Sequence, residues 1–330
     1  MNIQDVFAER RQPRGRLISI VLPVYNESAC LPQVVAELYD LLSTKLAAYN
    51  FEISFIDDRS KDDSFHVLSR LSAQSPANVR LSVLRLSKNS GSHVAVTAGL
   101  NISRGDFTII MASDGQDPPS LVEDLIREWE AGHDVVAAAR ETNLGRNPLD
   151  QLLSRLAWKL MIWSTRIEVP ETGCDLLGMD KKVLRAFNSM DERNTTFLFR
   201  IYSLGYTHKS ITYVKRERLA GKSNWGFLAR LSLMLNAITG HSNRPLRLIT
   251  SFGMLLCVVL VLRWAYHIFR IYVLGETPTE LSIILNSLFT SLGVIVLLLG
   301  MIGDYIWRIL DETRKRPVYE FSDVEGRIFE

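Results

Sequence analysis

Short β-branched runs alternate with helix-like stretches along most of this chain, and two long apolar runs follow near its end. The β-type runs predict strands over Leu17 to Leu22, Phe51 to Ile56, Arg80 to Leu86, Phe107 to Met111 and Asp134 to Ala138. Between them, helices are predicted over Ala29 to Leu46, Ser64 to Ser72, Ser92 to Ser103 and Pro118 to Ala131. Asp117 reads as the cap of the last of these helices, which Pro118 and Pro119 open and which carries Glu123 and Asp124 in its early turns. Strands that alternate with helices build βαβ units, so the fold class is α/β with a mostly parallel sheet.

The apolar runs are Leu248 to Leu262 and Leu281 to Ile302. Each completes to about 20 residues, enough at about 1.5 Å per residue to cross a hydrocarbon core, and two C-terminal transmembrane helices are therefore expected. A pair of buried core helices is the alternative. Arg244 and Arg247 precede the first run and Arg308, Arg314, Lys315 and Arg316 follow the second, whereas the connector carries only Arg263 and Arg270. By the positive-inside rule the α/β domain and both termini are expected to be cytoplasmic. Arg263, beside Trp264 and Tyr266, suits snorkelling to the interface. Two further stretches, Gln151 to Ile167 and Trp225 to Ile238, mix Leu and aromatic residues with basic ones and read as amphipathic interface helices; the alternative for each is packing on the sheet. The predicted organisation is an N-terminal extension over 1–16, an α/β domain over 17–224, an interface segment over 225–245, two spans over 246–310 and a tail over 311–330. Val318, Tyr319 and Phe321 in that tail suit a strand that pairs with another subunit, so a homo-oligomer is allowed.

Charge narrows the partners, because 38 basic against 36 acidic residues leave a net charge of +2 and argue against a nucleic-acid surface. The first 16 residues contain no apolar h-region of a secretory signal. Cys30, Cys174 and Cys257 are widely spaced without metal-ligand pattern, and free thiols are expected.

In open α/β sheets ligands bind beyond the carboxyl ends of the strands. Pro23 to Ser28 follows the first predicted strand without a GxGxxG fingerprint, which removes the main support for dinucleotide binding. The second is followed by Asp57-Asp58-Arg59-Ser60-Lys61-Asp62-Asp63-Ser64, where Asp62, Asp63 and Ser64 read as turn and cap residues. His93 has no second histidine at metal-ligand spacing and reads as structural.

Taken together, VLPVYNES, IDDRSKDDS, LSKNSGSHVAVTAGL, MASDGQDPPSL, TGCDLLGMDKKVL and RERLAGKSNW ahead of two apolar runs resemble the inverting GT-A glycosyltransferases that load a sugar onto a polyprenyl phosphate. Dolichol-phosphate mannose synthases and bacterial undecaprenyl-phosphate glycosyltransferases make up that branch. The resemblance covers nearly the whole chain and implies a GT-A Rossmann-like domain in a multi-pass protein of the bacterial inner membrane. It places Pro23, Tyr25, Glu27 and Asp58 around the base and ribose of a nucleotide-sugar donor, with Asn89 and Gly91 after the third strand. Arg59 stands where the family has glycine.

The resemblance also gives the acidic piece the central chemistry. Asp114 and Gln116, with a diphosphate, are hard oxygen donors for Mg²⁺ or Mn²⁺. Ala112 replaces the first aspartate of the family's D-x-D. Arg140, Arg216, Arg218 and Ser223 are the implied phosphate contacts, with Arg146 as a lesser contributor to the same field. Asp175 matches the acceptor-side aspartate that faces the anomeric carbon, as base or as positioning group, because a phosphate monoester is already largely dianionic near pH 7. Asp180 reads as the cap of a helix from Lys181. The implied reaction moves a sugar, by bacterial analogy from UDP, to undecaprenyl phosphate or a similar lipid. A processive polysaccharide synthase, disfavoured by the lack of Q-x-x-R-W, and an inactive nucleotide-sugar-binding scaffold are the alternatives.

Overall fold

The computed structural model describes residues 16–140, 174–190, 196–216, 280–314 and 317–326, with isolated helical positions between 258 and 273. The strands are β1 (Leu17–Val24), β2 (Asn50–Asp57), β3 (Val79–Leu86), β4 (Phe107–Ile110), β5 (Val135–Arg140), β6 (Cys174–Asp180), β7 (His208–Tyr213) and β8 (Phe321–Gly326). The helices are α1 (Leu31–Thr44), α2 (Ser64–Ser72), α3 (Ser92–Ile102), α4 (Leu121–Glu130), α5 (Lys181–Asn188), α6 (Phe197–Ser203) and α7 (Glu280–Arg314). All five predicted strands and four predicted helices form, with ends shifted by a few residues.

The strands make one sheet in the order β7-β5-β6-β4-β1-β2-β3-β8. β1 pairs in parallel with β2 and with β4, and β2 with β3. β6 runs antiparallel between β4 and β5. β1 is buried at nearly every position, as a strand covered on both faces must be. Alternate residues serve opposite faces: Ile18, Ile20, Leu22 and Val24 join a core with α1 and α4, while Val21 joins a second core with α3, α5 and α6. The result is three layers, α/β/α, with the chain reversing its direction of growth at β1.

Two expectations are corrected here. Asp117 does not cap the following helix, because a capping carboxylate needs backbone N–H groups two or three residues on, and the proline pair supplies too few. Pro118 and Pro119 instead form a turn whose carbonyls accept from Leu121 and Val122, and α4 begins at Leu121. The tail does form a strand, but β8 pairs antiparallel with β3 of the same chain, covering what is otherwise an open sheet edge. Asp180 behaves as expected and accepts the Lys182 N–H at 2.9 Å as the cap of α5.

Of the late apolar runs, the first lies outside the described residues apart from isolated helical positions, and the second lies within α7. The described side chains by themselves do not make up a membrane span in any helix. Both amphipathic stretches lie outside the described residues.

β6 fits between β4 and β5 because Gly178 faces a bulky neighbour. A Cβ at Gly178 would lie 2.2 Å from the Phe107 ring, which is fully buried and stacked on Trp129 with centroids 4.9 Å apart. Gly178→Ala is expected to destabilise the domain by about 2 kcal/mol through overpacking, seen as a lower denaturation midpoint.

Candidate active site

One end of the sheet gathers the chemistry. The carboxyl ends of β1, β2, β3, β4, β5 and β7 lie there, and so does the start of β6, because β6 runs the other way. In the ladder Ala139 of β5 pairs with Cys174, which puts the backbone of Asp175 at the same end as that of Arg140. Their side chains lie outside the described residues, as do Arg146, Arg218 and Ser223. Strand order reverses between β1 and β4, and that crevice is where such folds take ligands.

The β1 and β2 exit loops are zipped together by side chains that accept from backbone. Ser60 Oγ accepts from Asn26 N–H (3.0 Å), Ser64 Oγ from Glu27 N–H (2.9 Å) and Asp62 Oδ2 from Ser28 N–H (3.0 Å). Asn26 returns one bond, its Oδ1 accepting from Lys61 N–H at 2.7 Å. Burial pushes the Asp62 carboxyl up, but the hydrogen bonds from Ser64 and Ser28 outweigh it and leave the group below the usual carboxylate range. The turn-and-cap reading of Asp62 and Ser64 therefore holds; Asp63 pairs with Arg70 at 3.3 Å on the surface. The turns themselves need left-handed backbone, at Asn26 (φ 56°) and Arg59 (φ 59°). The second is a conformation that favours glycine, and Arg59 adopts it with a side chain that reaches Ser322 of β8 at 3.3 Å.

Asp58 is buried, and its two oxygens accept from the Ser90 and Gly91 N–H groups at 2.7 and 2.8 Å. Burial pushes its pKa up despite those bonds. It thus joins the β2 and β3 exits, and Gly91 (φ 91°) is the turn that makes the bond reachable. Neighbouring Asp57 is fully buried against Arg85 at 3.0 Å. Pro23, Tyr25 and Glu27 are half-buried around the same crevice, and Asn89 is exposed at its rim. His93 stacks near Phe197 with centroids 5.3 Å apart, and burial pushes its imidazole down to about 4, so it is neutral near pH 7.

Across the crevice, Ser113 Oγ donates to the Pro23 carbonyl at 2.8 Å, which docks the β4 exit on the β1 exit. Asp114 is 8% exposed and accepts the Gln116 N–H at 3.1 Å, so the two predicted metal-side residues share one short turn. Among the described residues no group of three or more His, Cys, Asp or Glu is placed to hold a metal. The oxygen chemistry of Asp114 and Gln116 still fits a hard divalent ion if diphosphate oxygens complete its shell. Arg216 is brought to this turn, donating its N–H to the Gln116 carbonyl at 3.0 Å while its guanidinium pairs with Glu37 at 2.8 Å. Gln33 first, and Arg216 with it, hold the Glu37 carboxyl below its usual range against the effect of burial.

Sequence reasoning missed Tyr213 at the end of β7 and Lys215 just beyond it, which contact Asp117, because β7 itself was not predicted. Its half-exposed His-Lys-Ser-Ile-Thr-Tyr carries a weak alternation that marks an edge strand only after the sheet is known. Cys30 was expected only as a free thiol, yet it donates to the Glu27 and Ser113 carbonyls at 3.2 and 3.4 Å, joining both sides of the crevice. Burial, then Glu27 and Asp114, push that thiol up to about 12. At pH 8 its thiolate fraction is on the order of 10⁻⁴, so iodoacetamide should leave Cys30 intact in the folded protein and alkylate it after urea unfolding. Peptide mass mapping checks this, and rapid labelling of the native protein contradicts it.

Residues 19–187, which hold the crevice and the start of β6, match the model for glycosyl transferase family 2. An uncharacterized glycosyltransferase of Bacillus subtilis (strain 168) is 31% identical, over 91% of this chain and 92% of its own. The undecaprenyl-phosphate 4-deoxy-4-formamido-L-arabinose transferase of Shewanella sediminis is 31% identical over 93% of this chain and 92% of its own. A prophage bactoprenol glucosyl transferase homolog of Escherichia coli is 31% identical over 93% of this chain and 99% of its own. With a mostly parallel α/β sheet whose crevice at the β1/β4 reversal carries VLPVYNES, IDDRSKDDS and MASDGQDPPSL, the chain belongs to glycosyl transferase family 2 and is a glycosyltransferase of GT-A type.

Proposed function

We propose that this glycosyltransferase moves a sugar, by bacterial analogy from a UDP-hexose, onto undecaprenyl phosphate or a similar polyprenyl phosphate at the cytoplasmic membrane face. The observation that carries the proposal is the meeting of the zipped β1 and β2 loops, the Asp114 turn and the start of β6 at one end of the sheet. Relatives named for undecaprenyl phosphate and bactoprenol, matched over nearly their whole lengths, support the lipid acceptor.

In this reading the nucleoside sits against Pro23, Tyr25 and Glu27. Asp58 acts by fixing Gly91, and Asn89 lies at the rim. Asp114 and Gln116 face the diphosphate, and Arg140, Arg216, Arg218 and Ser223 supply cationic and hydroxyl contacts to phosphate oxygens. A bound Mg²⁺ or Mn²⁺ supplies charge neutralisation on the leaving diphosphate, and Asp114 and Gln116 are the residues that would hold it. A dianionic lipid phosphate oxygen attacks the anomeric carbon from the side opposite the diphosphate and inverts it. Asp175 orients that phosphate, or takes up the proton of one that arrives as the monoanion.

The lipid acceptor requires a membrane-bound enzyme, and α7 suits one. Its 35 residues extend about 52 Å, and positions 281–303 include no Asp, Glu, Lys or Arg. Leu281, Ile284, Leu288, Leu292 and Leu299 along it are each more than half exposed, a surface that water would disfavour. We place the catalytic domain and both termini on the cytoplasmic side of the bacterial inner membrane, from the flanking Arg and Lys residues.

Asp114→Asn should cut transfer of radiolabelled sugar into an organic-extractable lipid by on the order of 10²-fold while leaving the melting temperature near that of the parent. Retained transfer would overturn the role of Asp114. Alkaline carbonate extraction should leave the full chain in the membrane pellet; release into the supernatant would contradict the spans.

A further inference from the structure

Asp117 is 1% exposed and sits one residue beyond Gln116 and three beyond Asp114. Its Oδ1 accepts a 2.5 Å hydrogen bond from the Tyr213 hydroxyl, and Lys215 Nζ lies 3.9 Å from the same oxygen. Next to it, the Arg216 N–H donates to the Gln116 carbonyl at 3.0 Å. Tyr213 ends β7, which β5 and β6 separate from β4, so these bonds reach across the sheet end to hold the far side of the Asp114 turn. The near side is held by Ser113 on Pro23 at 2.8 Å. Between the two anchors the chain passes through Gly115 at φ 73°, a conformation with little resistance of its own to change.

A buried carboxylate is costly unless it is paired, and for Asp117 the Tyr213 hydroxyl and the Lys215 ammonium supply that pairing. Asp117 thereby fastens a strand edge to a catalytic turn. We propose that Asp117 and Tyr213 are positioning residues, a strut that sets the direction of the Asp114 carboxylate and the Gln116 amide toward a divalent cation and the donor diphosphate. The inference rests on the metal reading of Asp114 and Gln116 given above. Lys215 balances the charge of the strut, and the Arg216 backbone bond fixes the register between the two segments. Outer partners of metal-facing groups act on affinity through orientation.

The test uses the purified full chain in detergent and follows Mn²⁺ binding by the EPR signal of the free ion, with UDP or GDP present as the nucleotide probe. Tyr213→Phe and Asp117→Leu should each weaken Mn²⁺ binding by about 10- to 100-fold. Asp117→Asn keeps an acceptor oxygen for the Tyr213 hydroxyl and should recover most of the loss. Tyr213→Phe should lower the melting temperature by no more than about 5 °C, which separates misdirection from unfolding and keeps the test decisive if Asp117→Leu does not fold. Parent-like Mn²⁺ affinity in Tyr213→Phe, alongside loss in Asp114→Asn, would overturn the strut and leave the metal reading standing. A parent chain that binds no Mn²⁺ with either nucleotide would overturn both.

Discussion

Parallel strands that grow outward in both directions from β1 leave a crevice between β1 and β4, and backbone groups at such strand ends have no ladder to join. In this protein short side chains take up that duty. Ser60, Ser64 and Asp62 accept from three successive N–H groups of the β1 exit, and Asp58 accepts from two N–H groups of the β3 exit. Each such bond, here part-buried, contributes about 1 kcal/mol net. The loops consequently form one cross-linked wall, against which the β4 turn docks through Ser113 and Cys30. Every placement proposed for a nucleotide or a diphosphate depends on that wall.

The acidic run after β2 has a double use that its composition hides. Four aspartates in seven residues suggest a cation or sugar site, yet Asp57 neutralises Arg85, Asp58 and Asp62 bind backbone, and Asp63 meets Arg70 at the surface. Acidity here is mostly architecture, and the carboxylate proposed to face the diphosphate is Asp114 on the other side of the crevice.

Periodicity made the first five strands and their helices legible, because strands covered on both faces are nearly continuous in Val, Ile, Leu and Phe. β6 was legible only as a motif piece, since its Cys-Asp-Leu-Leu-Gly-Met-Asp lacks a β-branched run and depends on Gly178 fitting over Phe107. β7 and its contacts with Asp117 were not legible at all. Those contacts join residues 96 positions apart, and no local pattern encodes them. Asp117 was misread for a local reason, since Pro118 and Pro119 start helices often enough to suggest a cap, whereas Pro119 lacks one of the two N–H groups a cap would use and the helix starts only at Leu121. The tail was read as a strand from its aromatic residues, but its partner depended on which sheet edge remained open. Arg140 and Asp175 reach the site end through strand direction alone.

In the proposed reaction a water-soluble donor meets a phosphate held at the headgroup plane, and α7 leads directly from the apolar run to β8 on the edge of the sheet. The central claim is a single displacement at the anomeric carbon by a lipid phosphate. The most direct measurement is the structure of the product formed from an α-linked nucleotide sugar, by mass spectrometry and NMR. The account predicts a β-linked sugar on a polyprenyl monophosphate with release of the nucleoside diphosphate. A diphosphate-linked product with release of a nucleoside monophosphate, or an α-linked product, would contradict it.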